Sequence, residues 1–169
     1  MDVFFVNPTK KHYLMDISRT IRLAHTSVKK NLTQLKRLGL IIEETETRGG
    51  RNFPHYRAHR ETKAFKRQKI IHNLSAIFDS GLIEFIEEKL APRSVLLFGS
   101  YLRGEDTEQS DIDVFIECGR EEVDTSPFER KLGRKIELHF NEAFDSYPKE
   151  LKNNIINGIV LSGFLEGYK

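Results

Sequence analysis

The sequence predicts an α/β chain of the α+β type, in which a small helical unit ending in a hairpin precedes a sheet flanked by helices. Three observations predict it. Apolar residues recur three and four apart through the first half, the spacing of one helix face. Short apolar or alternating runs bounded by turn residues dominate the second half, as strands do. Charge divides the same way: residues 1–72 hold 16 Lys and Arg against 6 Asp and Glu, a net of +10, while the remainder has a net of −8. Such a split argues for two units with different partners. A basic unit suits a polyanion, and an acidic one is compatible with a metal site.

Several classes are excluded first. The chain of 169 residues suffices for one ordinary domain or two small ones. Its one cysteine, Cys118, rules out a disulfide within the chain and suggests a reducing compartment. The start, Val3-Phe4-Phe5-Val6, is too short and lacks the basic residues of a signal peptide. No apolar run approaches the roughly 20 residues of a membrane span. The expectation is a cytoplasmic protein. Zinc-type Cys/His spacing is absent, as is a lysine-bearing phosphate loop.

Residues 1–60 read as the first unit. Leu14, Ile17 and Ile21 share a helix face, and a break follows at Ala24-His25. Thr26 or Ser27 is a suitable N-cap for the next helix. Val28, Leu32, Leu35 and Leu38 carry its apolar face, and Gly39 ends it. Lys29, Lys30, Thr33, Lys36 and Arg37 fall opposite. Leu40–Glu43 and Phe53–Arg57 then make two strands joined near Gly49-Gly50, a hairpin with a basic tip. This order, and Leu-Lys-Arg-Leu-Gly-Leu-Ile at 35–41 above all, resembles a winged helix-turn-helix domain. The resemblance implies binding of double-stranded DNA, with the second helix in the major groove and the hairpin on the backbone. Lys29, Lys30, Lys36, Arg37, Arg48 and Arg51 would be the contacts.

Residues 61–81 read as a helical connector. A basic stretch from Arg60 to Lys69 gives way to Ile70, Ile71, Leu74, Ile77 and Phe78, and Asp79-Ser80-Gly81 interrupts the pattern. This helix is a candidate homodimer seam, since winged-helix proteins often bind as two-fold pairs. A second helix, with Leu82, Ile83, Phe85, Ile86 and Leu90, stops before Pro92.

Residues 82–169 form the last unit. Val95–Phe98 reads as a buried strand that ends abruptly in Gly99-Ser100. Gly99 lets the backbone approach a bound group, Ser100 adds a hydroxyl, and the following residues open a helix whose N–H groups favour phosphate. Ser110-Asp111-Ile112-Asp113-Val114-Phe115-Ile116-Glu117 alternates, so Asp111 and Asp113 are expected side by side on one face. Like charges that close are unfavourable unless a hard cation such as Mg²⁺ neutralises them or a solvated face of an edge strand screens them. Lys135–Phe140 alternates too, placing Ile136, Leu138 and Phe140 toward the core with Glu137 and His139 opposite. Arg120–Lys131 reads as a charged connection with about one helical turn, Tyr147–Asn157 as an amphipathic helix, and Ile159–Leu165 as a last strand.

Gly99-Ser100, Arg103, Gly104 and Ser110-Asp111-Ile112-Asp113 together resemble the signature of polymerase-β-type nucleotidyltransferases, in particular their minimal members. The resemblance implies a mixed sheet flanked by helices and Mg²⁺-dependent transfer of a nucleotidyl group from ATP or another nucleoside triphosphate to a hydroxyl. Asp111, Asp113 and Glu137 would be catalytic and would hold two Mg²⁺ ions. Gly99, Ser100, Arg103 and Ser110 would bind the nucleotide. The family commonly has Asp where Glu137 stands, one methylene shorter. Minimal members often act as antitoxins that modify a tyrosine of a small helical toxin. The alternative is a DNA-binding regulator whose nucleotidyltransferase-like domain only binds nucleotide.

Overall fold

The computed structural model describes residues 1–141 and 148–166. The chain divides into two compact units, Met1–Lys69 and Ile70–Lys169.

The first unit runs α1 (Asp2–Val6), α2 (Leu14–Ile21), α3 (His25–Arg37), β1 (Ile41–Arg48) and β2 (Arg51–Ala58), and its last residues begin α4 (Lys63–Ser80). Its core gathers Phe4, Phe5, Ile17, Val28, Leu32, Ile41, Tyr56 and Phe65, at least one apolar residue from each element. Burying each such side chain contributes roughly 1.5–3 kcal/mol. Helix α1 uses Phe4 and Phe5 in this way, a role for the apolar start that its length concealed.

Two details of α2 and α3 depart from the sequence pattern. Helix α3 starts at His25 on an extended Ala24, without a side-chain cap, so neither Thr26 nor Ser27 caps it. Arg22, in the left-handed region at φ 53°, ends α2 and sets that earlier start. Ile21 and Leu38 are exposed instead of sharing the apolar faces. At the other end the expectation holds. Gly39 (φ +68°) donates to the Lys36 carbonyl and Leu40 to that of Leu35, two bonds that close the helix. Strands β1 and β2 pair antiparallel from Ile41↔Ala58 to Arg48↔Arg51, and Gly49-Gly50 makes the turn with both φ positive.

The second unit continues with α5 (Leu82–Leu90), β3 (Ser94–Phe98), α6 (Gly99–Leu102), β4 (Ile112–Ile116), α7 (Ser126–Leu132), β5 (Ile136–Phe140), α8 (Lys149–Ile156) and β6 (Ile159–Gly163). The four strands form one mixed sheet in the order β5-β4-β3-β6. Strand β3 is antiparallel to β4 and β6, whereas β4 and β5 are parallel. A parallel neighbour needs a crossover of a dozen or more residues. The segment after β4 supplies it with α7, a seven-residue helix with Pro127 in its first turn, longer than the single turn expected. Helix α8 begins at Lys149; the expected helix start, Tyr147, lies outside the described residues.

Alternation divides the sheet cleanly. Val95, Leu97, Ile112, Val114, Ile116 and Ile136 face one core with Leu82, Ile83, Ile86 and Leu90 of α5. Leu96, Phe98 and Phe115 face the other way and pack on Ile155 of α8. Asp113, Glu137 and His139 lie on strand positions of this second face. Along α4, Ile77 is buried whereas Ile71 and Phe78 are 62% and 46% exposed, so only part of its apolar pattern finds a place in this chain.

Candidate active site

At the end of β3 the chain turns directly into α6. Gly99 makes that turn at φ +77°, a region L side chains rarely adopt. The space is closed as well: a Cβ at Gly99 would lie 2.1 Å from Oδ2 of Asp113. Glycine therefore brings the turn's backbone against that carboxylate.

Sheet register builds the rest. Phe98 pairs with Asp113 across the antiparallel ladder, and Asp113 pairs with Glu137 across the parallel one. Asp113 is thus held between the glycine turn and a second carboxylate. His139 follows Glu137 on the same face. Its Nε2 lies 3.4 Å from Asp113 Oδ1, and its ring sits 5.1 Å from that of Phe98, tilted by 58°. Ligand atoms of Asp113, Glu137 and His139 all come within 4.8 Å of one another. Two carboxylate oxygens and an imidazole nitrogen that close fit a divalent cation, which removes the cost of crowding like charges.

The other expected residues are placed less directly. Asp111 lies one residue before β4, exposed, and is not among those three side chains. The first paired residue is Ile112 with Ile136, and the Ile112 N–H donates to the Lys135 carbonyl at 2.8 Å, so Asp111 stands at the edge of the ladder. Ser100 is the second residue of α6 and is half-buried. Arg103 does not sit one turn along a continuing helix. It caps α6, which ends after four residues as Gly104 turns at φ +65°, and its Nε donates to Glu105 Oε2 at 3.0 Å. The Ser110 hydroxyl accepts from the Thr107 backbone N–H at 2.9 Å and so closes the loop before β4.

A buried polar cluster that sequence reasoning missed holds the turn and its loop. Asn73 Nδ2 donates to the Tyr101 carbonyl at 2.7 Å and to Asp106 Oδ1 at 2.9 Å. Arg134 Nη2 lies 3.8 Å from Asp106 Oδ2, and Asp106 is 1% exposed. Three separate segments are thereby tied together: α4, the loop after α6, and the approach to β5. Burial first, and then the Asp106 charge, push the Tyr101 hydroxyl up to about 12, so it stays protonated at neutral pH. An open cleft of about 630 Å³ beside this cluster is lined by Ser110, Asp111, Arg130, Arg134 and Lys135 among others. It contains none of Asp113, Glu137 and His139.

In the first unit, all six expected nucleic-acid contacts are exposed, but not equally available. Lys36 pairs with Glu43 and holds its carboxyl below the usual range. Arg48 pairs with Glu46 and stacks on Tyr13. Hydrogen bonds from Lys11 and then Tyr13 bring the Glu46 carboxyl down to about 2. Lys30, Arg37 and Arg51 take part in neither of these pairs, whereas the Lys29 charge also helps to lower the Glu43 carboxyl.

Residues 80–161 match the family model described as the nucleotidyltransferase domain. A protein of Methanocaldococcus jannaschii that carries the provisional name protein adenylyltransferase is 50% identical over 34 residues, which is 20% of this chain and 34% of that relative. The match thus spans about a third of the relative's length. No solved structure matches the chain. Among the described residues, no helix is long and apolar enough to cross a membrane.

Proposed function

We propose that the second unit is a metal-dependent nucleotidyltransferase that moves AMP from ATP to a hydroxyl of a protein, and that the first unit is a winged helix that binds double-stranded DNA. The observation that carries the enzymatic half is the pairing of Asp113 with Glu137 against the Gly99 turn. The acceptor oxygen bonds to the α-phosphorus, the bond to the β,γ-pyrophosphate breaks, and the hydroxyl proton leaves with a base. Asp113 and Glu137, together with Asp111, would hold divalent ions, Mg²⁺ in the simplest case. Held there, such ions would neutralise the triphosphate and lower the pKa of the attacking hydroxyl. The chain itself contributes position and charge: the turn at Gly99-Ser100 offers backbone N–H groups to the phosphates, and the network around Asp106 keeps that turn in place. A protein acceptor is favoured by the name of the partial relative.

Incubation of the purified chain with α-³²P-ATP, a divalent ion and cell extract tests this directly. A labelled macromolecule is expected, and the label should survive protein denaturation but not appear when γ-³²P-ATP is used. Nucleotide binding with no labelled acceptor under any divalent ion would leave a regulator that merely senses nucleotide.

The DNA-binding half is supported by the net charge of +10 over residues 1–72 and by the hairpin beside α3. Binding to duplex DNA should weaken linearly in log–log terms as salt rises. Lys30→Ala, Arg37→Ala and Arg51→Ala should each reduce that slope by ~1. Lys36→Ala and Arg48→Ala should change it less, because Glu43 and Glu46 already neutralise those cations. If no retardation of duplex DNA is seen even at low salt, this assignment fails.

A further inference from the structure

We propose that His139 is a nitrogen ligand of the ion bound beside Asp113 and Glu137, so that the site prefers Mn²⁺ to Mg²⁺. The inference rests on the nucleotidyltransferase reading only for the presence of a divalent ion.

Glu137 and His139 are two residues apart on β5 and share a face, while Asp113 stands opposite Glu137 on β4. His139 is therefore the diagonal neighbour of Asp113, at a distance only a long side chain spans. It does span it: Nε2 lies 3.4 Å from Asp113 Oδ1. The ring is not a freely rotating surface group, being 22% exposed and packed on Phe98 at 5.1 Å. Packing of this kind aims the nitrogen at the carboxylates without using the nitrogen itself.

Donor chemistry then decides the metal. Mg²⁺ demands oxygen ligands in near-ideal octahedral geometry and gives up water reluctantly. An imidazole nitrogen favours first-row transition ions, and affinity at a mixed N/O site rises along that series. Mn²⁺ keeps the carboxylate and phosphate oxygens of an octahedral site and accepts one nitrogen besides. Glu137, longer by a methylene than aspartate, leaves the side-chain reach that admits a third ligand from the same strand. If His139 served only to orient Asp113 by a hydrogen bond, the ion would see oxygen alone.

Electron spin echo envelope modulation on the full chain loaded with Mn²⁺, alone and with inorganic tripolyphosphate, separates these cases. Tripolyphosphate brings no nitrogen, so any ¹⁴N modulation comes from protein. The expected result is ¹⁴N modulation in the native chain and its loss in His139→Gln with Mn²⁺ still bound. Isothermal titration should show Mn²⁺ bound at least about tenfold tighter than Mg²⁺, a ratio that collapses in the variant. Bound Mn²⁺ without ¹⁴N modulation, or modulation that survives His139→Gln, overturns the proposal. Loss of Mn²⁺ binding in Asp113→Asn would in that event keep the ion site itself intact. No Mn²⁺ binding under either condition overturns both the proposal and the nucleotidyltransferase reading.

Discussion

Asp113→Ala is expected to reduce nucleotidyl transfer by at least about a thousandfold, ~4 kcal/mol of transition-state stabilisation, while the chain remains folded. Asp113 occupies the middle of the site, between the glycine turn and the two side chains of β5. It is paired with Phe98 on one side and Glu137 on the other, it lies against Gly99, and it accepts the approach of His139. Its removal takes away an ion ligand and the charge that holds the ion over the turn. Folding has little to lose, because the side chain is 25% exposed and stands beside a second carboxylate. Stability should change by no more than about 1 kcal/mol, and relief of repulsion with Glu137 offsets part of that. Asp113→Asn, which keeps the volume, should be nearly as inactive. The measurement is label transfer from α-³²P-ATP alongside a thermal melt. Undiminished transfer by folded Asp113→Ala would remove this carboxylate from the chemistry and the mechanism with it.

How much of this could be read from residues alone depends on how far each interaction reaches along the chain. Strand β3 was legible because Val95–Phe98 is a continuous apolar run ended by glycine, and the run is buried throughout. The division of β4 and β5 into core-facing and site-facing residues followed from alternation, which is a local property. Register is not local. The sequence placed Glu137 on a neighbouring strand, but only the ladder shows it opposite Asp113. Asp111 stands one residue before β4, which starts at Ile112, so alternation along the strand does not by itself fix where its side chain lies. His139 was visible on the right face, yet nothing in its spacing tells that the ring leans across to Asp113. The Asn73–Asp106–Arg134 cluster left no sequence signal, since its members come from three segments, each residue ordinary in its own. The start of α3 was misplaced because hydroxyl residues make good caps, whereas the chain used the backbone of Ala24 and a left-handed Arg22.

Gly99→Ala should cost nearly as much activity as loss of Asp113, though it removes no ligand. Two separate penalties meet at this residue. The first is conformational: at φ +77° a Cβ costs roughly 1–2 kcal/mol. The second is steric, with the new methyl 2.1 Å from Asp113 Oδ2 and 3.0 Å from its Cγ. Contacts so short cannot persist, so something must move. The short Asp113 side chain can swing away from the turn only toward β5, where it crowds Glu137 and His139 and disturbs the geometry the three share. Otherwise the turn itself backs off and carries Ser100 with it. Either response separates the carboxylate from the backbone N–H groups, and transfer should fall by about a hundredfold or more, with destabilisation of about 1–3 kcal/mol. The two penalties can be told apart by a double-mutant cycle. With Asp113→Ala already in place the two shortest contacts are gone and only the one to Cβ, at 3.3 Å, remains, so Gly99→Ala should then cost little beyond the conformational part, about 1–2 kcal/mol in a denaturant melt. Equal destabilisation in both backgrounds would mean that glycine serves the turn alone, and that its closeness to Asp113 does not shape the site.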